Sequence, residues 1–431
     1  MSQAPLEQAE PPLVLAIDAG SSSVRVGMFD CQARAVAGLH ARDDHPFHTS
    51  GEGAAIEEPS HLVQRIEGLL DDVLARAGRA ASSIGAVRMG TFAGNYLGLD
   101  AHNNPVTPIY TYADTRPARE VEELRRELDV ADVYQRTGCP LHTSYLPPRI
   151  RWLQRSAPSL AARVRQWVDA GTYLYRRWTG KGDVPMSYSM ASWSGMLDMR
   201  SLTWDEGLVR HLGLPANALP DLDYAADVRG LAPAFASRWP ALADVPFFLA
   251  VGDGAAANVG SGCVDASRVA LTVGTTGAMR VLLAGVPRSV PQGLWAYRLD
   301  ARSTLLGGSL TEGGSVLCWL METLNLPPLA DVEPHLARLQ PDGHGLTVLP
   351  FLGGERSPGF ATRATGALVG LRLSTRPEEV LQASLEAIAY RFGLIHRLLE
   401  PYMASGARVV ASGGALAHTD GGLAHALELA R

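Results

Sequence analysis

An acidic residue that closes an apolar run and is followed by glycine and hydroxyls can hold a metal-bound phosphate. Residues 18–25 read Asp18-Ala19-Gly20-Ser21-Ser22-Ser23-Val24-Arg25. Gly20 permits a tight turn. Ser21 and Ser22 would add hydroxyl donors to the backbone N–H groups of that turn, and Arg25 could bring a positive charge. Asp18 is placed to bind Mg²⁺, directly or through water. This is not a Walker A loop, because no Lys follows the glycine and no helix opens after it. The other reading is a Ser-rich hairpin tip with Asp18 capping its own turn. A near copy favours the phosphate reading. Laid under residues 14–29, RVALTVGTTGAMRVLL (268–283) brings Gly274-Thr275-Thr276 onto Gly20-Ser21-Ser22. Two such loops are expected to face each other across a cleft. Thr272 stands where Asp18 would fall, so only the first copy supplies an acid.

Asp253 follows an apolar run, Pro246 to Val251, and precedes a row of alanines. It is either a helix N-cap or the carboxylate that accepts a hydroxyl proton during phosphoryl transfer. Asp114 and Arg116, in YTYADTRPARE (110–120), either bind sugar hydroxyls or are a capping Asp and a solvated Arg. Gly413-Gly414 and Gly313-Gly314 each lie where a flat nucleotide could rest on bare backbone, or where a strand merely turns into a helix. The twelve histidines form no HxH or HExxH group, so no metal site is assigned to them.

These residues need elements to carry them. Leu13 to Ile17 is a short apolar run, and Val24, Val26 and Met28 alternate after the turn, which predicts a β-hairpin. A helix is expected from Pro59 to a stop at Gly78, with Leu62, Ile66, Leu69, Leu70 and Val73 on one face. Ile84 to Met89 reads as a strand and Ala118 to Leu128 as a helix. Residues 246–263, rich in small side chains, are the expected crossover between two domains. Thr347 to Leu352 predicts a strand leading into GGER (353–356), followed by a helix striped by Val380, Leu381, Leu385, Ile388, Ala389 and Phe392. Arg408 to Ala411 predicts a strand, which meets Ser412-Gly413-Gly414 and a short last helix. Strands and helices alternate throughout, which argues for an α/β architecture.

At 431 residues the chain exceeds one ordinary core, so two domains are expected. A net charge of −6 gives no electrostatic reason to expect nucleic acid or an anionic membrane as partner. The opening MSQAPLEQAE lacks the basic and apolar regions of a signal peptide. No apolar run reaches the length of a membrane span. The scattered Cys31, Cys139, Cys263 and Cys318 have no metal-ligand spacing and fit a reducing cytoplasm.

Taken together, the segments resemble the FGGY carbohydrate kinases of the actin-like ATPase superfamily. The similarity is carried, in order, by residues 17–30, YTYADTRP (110–117), YSMASWSGMLDM (188–199), VGDGAAANVGSG (251–262), LTVGTTGAMRV (271–281), GGSLTEGGSVLCWL (307–320), LPFLGGERSP (349–358) and ASGGALAHT (411–419). The resemblance implies two actin-like (ribonuclease H-like) α/β domains, 12–255 and 256–431, flanking a nucleotide and sugar cleft. It implies ATP and Mg²⁺ as cofactors and a small sugar or sugar acid as partner, and leaves a homodimer open. Asp18, Gly20, Ser21, Ser22 and Arg25 then belong to the first phosphate loop, with Asp18 toward the metal. Gly274 and Thr275 belong to the second loop, and Gly314, Gly413 and Gly414 line the nucleotide. Asp253 takes the catalytic-base position, while Asp114 and Arg116 fall in a sugar-contacting segment. Residues 188–199 and 271–281 look most like gluconate kinases, with xylulose kinases second. In two places the chain departs from the pattern. Ala93-Gly94 stands where many relatives have a Met-His pair touching substrate, and relatives continue past Arg431, so a shortened second domain is expected. The alternatives to an active kinase are a non-catalytic nucleotide-binding relative and an actin-like ATPase with a protein client.

Overall fold

The computed structural model describes residues 3–361 and 363–414. The expected last helix and residues 415–419 of the final motif lie outside the described residues. The chain divides into two compact units. The first ends at Ala257 and takes back Tyr297–Arg302, and the second begins at Asn258.

The first unit is built on an eight-stranded sheet. β1 (Leu13–Ala19) buries Leu13, Leu15, Ile17 and Ala19 at alternate positions. It turns at the glycine into β2 (Ser23–Phe29), antiparallel, with Asp18 opposite Arg25 and Ala19 opposite Val24. Helix α1 (Pro59–Ala77) starts on its proline, where a missing N–H costs nothing, and ends at Gly78 with φ +53°. Leu62, Ile66, Leu70 and Val73 are fully buried. Leu69, expected on the same face, is only half-buried, and Val63 takes its place in the core. β3 (Ile84–Thr91) lies parallel to β1.

Three helical segments complete what the site needs from this unit. They are α2 (Leu146–Ser156), α3 (Tyr188–Trp193) and α4 (Asp253–Gly260), the last of which leads out of the unit. The continuous strand expected at Pro246–Val251 is broken into Phe247–Phe248 and β4 (Val251–Gly252), with both pieces pairing parallel to β3.

The second unit holds a five-stranded sheet. β5 (Arg268–Val273) and β6 (Gly277–Ala284) form the second hairpin, and β7 (Ser303–Leu310) pairs antiparallel with β6. Helix α5 (Gly314–Thr323) follows β7. Helix α6 (Pro377–Leu399) buries the whole predicted stripe, and Phe392 and Ile395 reach the sheet over Gly277 and Gly308. A Cβ at Gly277 would stand 2.4 Å from the Phe392 ring, so glycine sets how closely the helix approaches. β8 (Arg408–Ser412) lies parallel to β5. The strand expected at Thr347–Leu352 stops at Leu349, one residue before Pro350, and pairs with Ala367–Val369. Proline has no N–H to continue the ladder.

Candidate active site

In the first unit β1, β3 and β4 run parallel and end in register. Asp18, Gly90 and Val251 form one row across them, and Ala19, Thr91 and Gly252 form the next. Asp253 is the residue after that second row. It therefore lies about 10 Å to the side of Asp18, two strand spacings away, at the same end of the sheet. The carboxyl ends of parallel strands are where open α/β sheets bind ligands.

Asp18 is about half-exposed, and Arg25 Nη1 stands 3.4 Å from its Oδ2. Burial pushes the Asp18 carboxyl up, and Arg25 offsets part of that rise. The Gly20 N–H donates to Ser23 O at 3.0 Å, which leaves Ser21 and Ser22 as a two-residue tip. A single carboxylate beside a hydroxyl-rich turn suits Mg²⁺, which keeps several waters and takes its remaining ligands from phosphate.

Asp253 is half-buried, and its Oδ1 accepts from the Gly254 N–H at 2.7 Å. Its strand is braced by the 187–193 segment. The Gly252 N–H donates to Ser189 Oγ at 3.1 Å, and Ser187 Oγ donates to Ala250 O at 2.5 Å. The Trp193 ring lies so close to Gly252 that a Cβ there would come within 2.7 Å of it. Resemblance alone singled out this segment in the sequence, and its structural part is to hold the Asp253 strand.

Asp114 is buried, and Arg116 grips it through two nitrogens, with Nε 3.0 Å from Oδ1 and Nη2 on Oδ2. The Arg116 backbone N–H also donates to Oδ1 at 3.2 Å. Asp114 thus does cap its own turn, but Arg116 is not a solvated residue. Its guanidinium lies 4.4 Å from the Trp152 ring centre. Burial would lower the Arg116 pKa, and the Asp114 carboxylate overrides this and raises it.

The Ala93-Gly94 departure has a steric reason. Gly94 has φ +64°, and a Cβ there would stand 2.9 Å from Ser144 O and 3.4 Å from the Tyr112 Cα. No histidine fits that position. Asn95, fully buried, ties the turn together: Nδ2 donates to Thr91 Oγ1 at 3.1 Å and Oδ1 accepts from the Ala170 N–H at 2.7 Å. Asn95, Ser187 and Arg149 lie outside the quoted motifs, Ser189 lies inside 188–199 with nothing to mark its part, and sequence reasoning missed all four as supports. They act through carbonyls and amides that only the folded chain brings near.

In the second unit the candidate residues converge on one end of the sheet. The Gly274 N–H donates to Thr276 O at 2.9 Å, so the tip of this hairpin is Thr275 alone. The second turn is therefore one residue shorter than the first. Past the turn the superposition of the two hairpins slips by one position, and Arg280, not the residue matching Arg25, reaches the Asp18 equivalent: its Nη2 donates to Thr272 Oγ1 at 2.7 Å. The Gly314 N–H donates to Gly274 O at 2.7 Å and that of Ser315 to Thr275 O at 3.2 Å, fastening the loop to the start of α5. A Cβ at Gly313 would lie within 2.9 Å of this loop. Gly413, φ +112°, passes so close to Val273 that a Cβ would stand 2.2 Å from its carbonyl oxygen, and Gly414 follows it. Bare backbone thus surrounds the Thr275 tip, a surface suited to phosphates and a flat ligand.

A cluster of Asp342, His344 and Glu386 also gathers metal-ligating atoms within 4.8 Å. The Leu346 N–H donates to His344 Nδ1 at 3.0 Å, so the ring proton sits on Nε2 and points to Glu386 Oε2 at 3.2 Å. Glu386 also accepts from Gln382 Nε2 and the Asp342 N–H. This is a latch between the 340–346 loop and α6 rather than a metal centre.

Residues 13–260 match the FGGY family of carbohydrate kinases, N-terminal domain, and residues 269–420 its C-terminal domain. The chain is 25% identical over 415 residues to the gluconokinase of Bacillus subtilis, covering 93% of this chain and 80% of that protein. It is 29% identical over 389 residues to a glycerol kinase of Allorhizobium ampelinum, covering 88% and 77%. Among solved structures, gluconate kinase from Lactobacillus acidophilus superposes with a TM-score of 0.85 at 23% identity, covering 97% of this chain and 88% of that one. The ligand-bound xylulose kinase from the same organism does so with a TM-score of 0.85 at 23% identity, covering 97% and 89%. The chain belongs to the FGGY family of carbohydrate kinases, phosphotransferases of two-domain actin-like fold.

Proposed function

We propose that this protein is an ATP- and Mg²⁺-dependent kinase that phosphorylates a hydroxyl of a sugar or sugar acid, with the sugar acid gluconate the first candidate and the ketose xylulose the second. The observation that carries the reading is the pair of carboxylates, Asp18 and Asp253, at the carboxyl ends of strands in one parallel row. Asp253 accepts the proton of the attacking hydroxyl, held in place by the Ser187–Trp193 brace. Asp18 is the residue for Mg²⁺, which when bound neutralises phosphate charge. Gly20, Ser21, Ser22 and Arg25 serve the phosphates from residues 12–255. Gly274, Thr275, Gly314, Gly413 and Gly414 hold the nucleotide from residues 256–431.

Asp114 and Arg116 offer the acceptor a preformed polar edge. One side of the guanidinium is committed to Asp114, and Nη1 remains for a substrate carboxylate or hydroxyl. The four cysteines are all free thiols, which suits a reducing cytoplasm. Among the described residues no helix is long and apolar enough to cross a membrane. An ATP-consumption screen over gluconate, xylulose, ribulose, glycerol and related polyols tests the reading. Turnover with gluconate is expected, and no ATP consumed with any of them would refute it.

A further inference from the structure

We infer that Arg149 is a positioning residue that fixes the acceptor side of the site and so sets affinity for the sugar rather than the rate of transfer, an inference that rests on the kinase reading above. Arg149 lies in the first turn of α2 and is fully buried. Its Nη1 donates to Gly94 O at 3.3 Å, and its Nη2 donates to Thr111 O at 2.6 Å and Thr143 O at 2.9 Å. One cation thus holds three separate stretches of chain: the turn after β3, the segment leading to Asp114, and the loop before α2. The same three stretches touch one another. Ser144 Oγ donates to Tyr112 O at 3.0 Å, and Gly94 is pressed between Ser144 and Tyr112.

Among the described residues no carboxylate pairs with Arg149, and its buried Nε–H has no partner. A guanidinium placed this deep carries a desolvation cost that an aliphatic side chain would avoid. Its use lies in geometry, because a planar fork of donors reaches carbonyls in several directions at once. Asp253 hangs from a different support, the 187–193 segment, and Asp18 from β1. Loosening Arg149 therefore disturbs the Ala93-Gly94 turn and the Asp114–Arg116 pair while leaving the proton acceptor and the metal carboxylate in place.

Arg149→Met and Arg149→Lys test this, with gluconate and xylulose as acceptors. The acceptor KM is expected to rise about tenfold or more in Arg149→Met, with kcat and the ATP KM within about threefold of wild type. Arg149→Lys, which keeps the charge but loses the planar fork, should fall between the two, and it decides the matter if Arg149→Met does not fold. An unchanged acceptor KM in a folded variant, or a loss confined to kcat, would overturn the inference. Amide exchange on the protein without ligands gives a reading independent of activity. In Arg149→Lys, protection at 92–95, 111–116 and 142–145 should drop together by about tenfold, with 13–19 and 187–193 unchanged. Uniform loss or no loss would refute the clamp. A wild-type protein inert toward every carbohydrate would sink the kinase reading, and the exchange result would still judge Arg149.

Discussion

Two carboxylates of the first unit are asked to do different work, and single substitutions should separate them. Asp253→Asn removes the proton acceptor. It is expected to lower kcat by about 10²- to 10⁴-fold with nucleotide affinity nearly unchanged, and a mutant keeping most of its turnover would assign the base elsewhere. Asp18→Asn should instead abolish the Mg²⁺ dependence of nucleotide binding, read by titration with a non-hydrolysable ATP analogue. It should also raise the melting temperature of the ligand-free protein near neutral pH. Burial raises the folded-state pKa of Asp18 above its usual value, so the native state holds the Asp18 proton more tightly than the unfolded chain does. Stability is then lost as pH climbs from the ordinary carboxylate value through the raised one. Above that window the charged Asp18 is a burden that asparagine lacks. A ligand-free melting curve for Asp18→Asn no higher than wild type at pH 7, yet higher at pH 3, would contradict this sign.

Among the elements, the strands and helices that carry the site were largely legible in the sequence, and the supports between them were not. Periods of two and of three to four residues located β1, β2, α1 and α6, because burial of one face dictates them. The loops that matter obey a different rule. Gly94 is glycine because Ser144, fifty residues away in sequence, presses on it, and no local pattern announces such a contact. Arg116 could be read from the sequence as either a sugar-binding or a solvated cation, and neither reading foresaw its bidentate hold on Asp114 or the Trp152 ring that α2 brings over it. The broken strand before Asp253 was missed for the same reason, since an apolar run does not show where its partner strand ends. The prediction at this scale is steric. Gly413→Ala should weaken nucleotide binding and lower the melting temperature, because a Cβ at φ +112° and 2.2 Å from Val273 O cannot be accommodated without moving β5 or β8. Gly414→Ala, with none of the described residues within 4 Å of its added Cβ, should be mild by comparison. Equal melting points and ATP-analogue affinities for the two variants would remove Gly413 from the site.

For the whole molecule, the activity ranking is the informative outcome. With Arg116 Nη1 as the remaining cationic edge, kcat/KM for gluconate is expected to exceed that for xylulose, and Arg116→Gln should narrow the gap by lowering the gluconate value alone. A protein that prefers xylulose, with or without Arg116, would promote the ketose reading. The repeated hairpin turn bears on the molecule as a whole in another way. The two turns differ by one residue, and side chains on a strand alternate faces, so the copies are no longer interchangeable parts. A chimaera carrying Gly274–Gly277 in place of Gly20–Ser23 would keep the chain length but close one residue earlier, with the last glycine opposite Ala19 where Val24 now stands, and so would shift β2 by one residue. Val24 and Val26 would be turned out of the core, and Arg25 would move to the opposite face of the sheet. The likeness survives in the glycine and the hydroxyls, but a difference of one residue makes each turn a component that fits only its own socket.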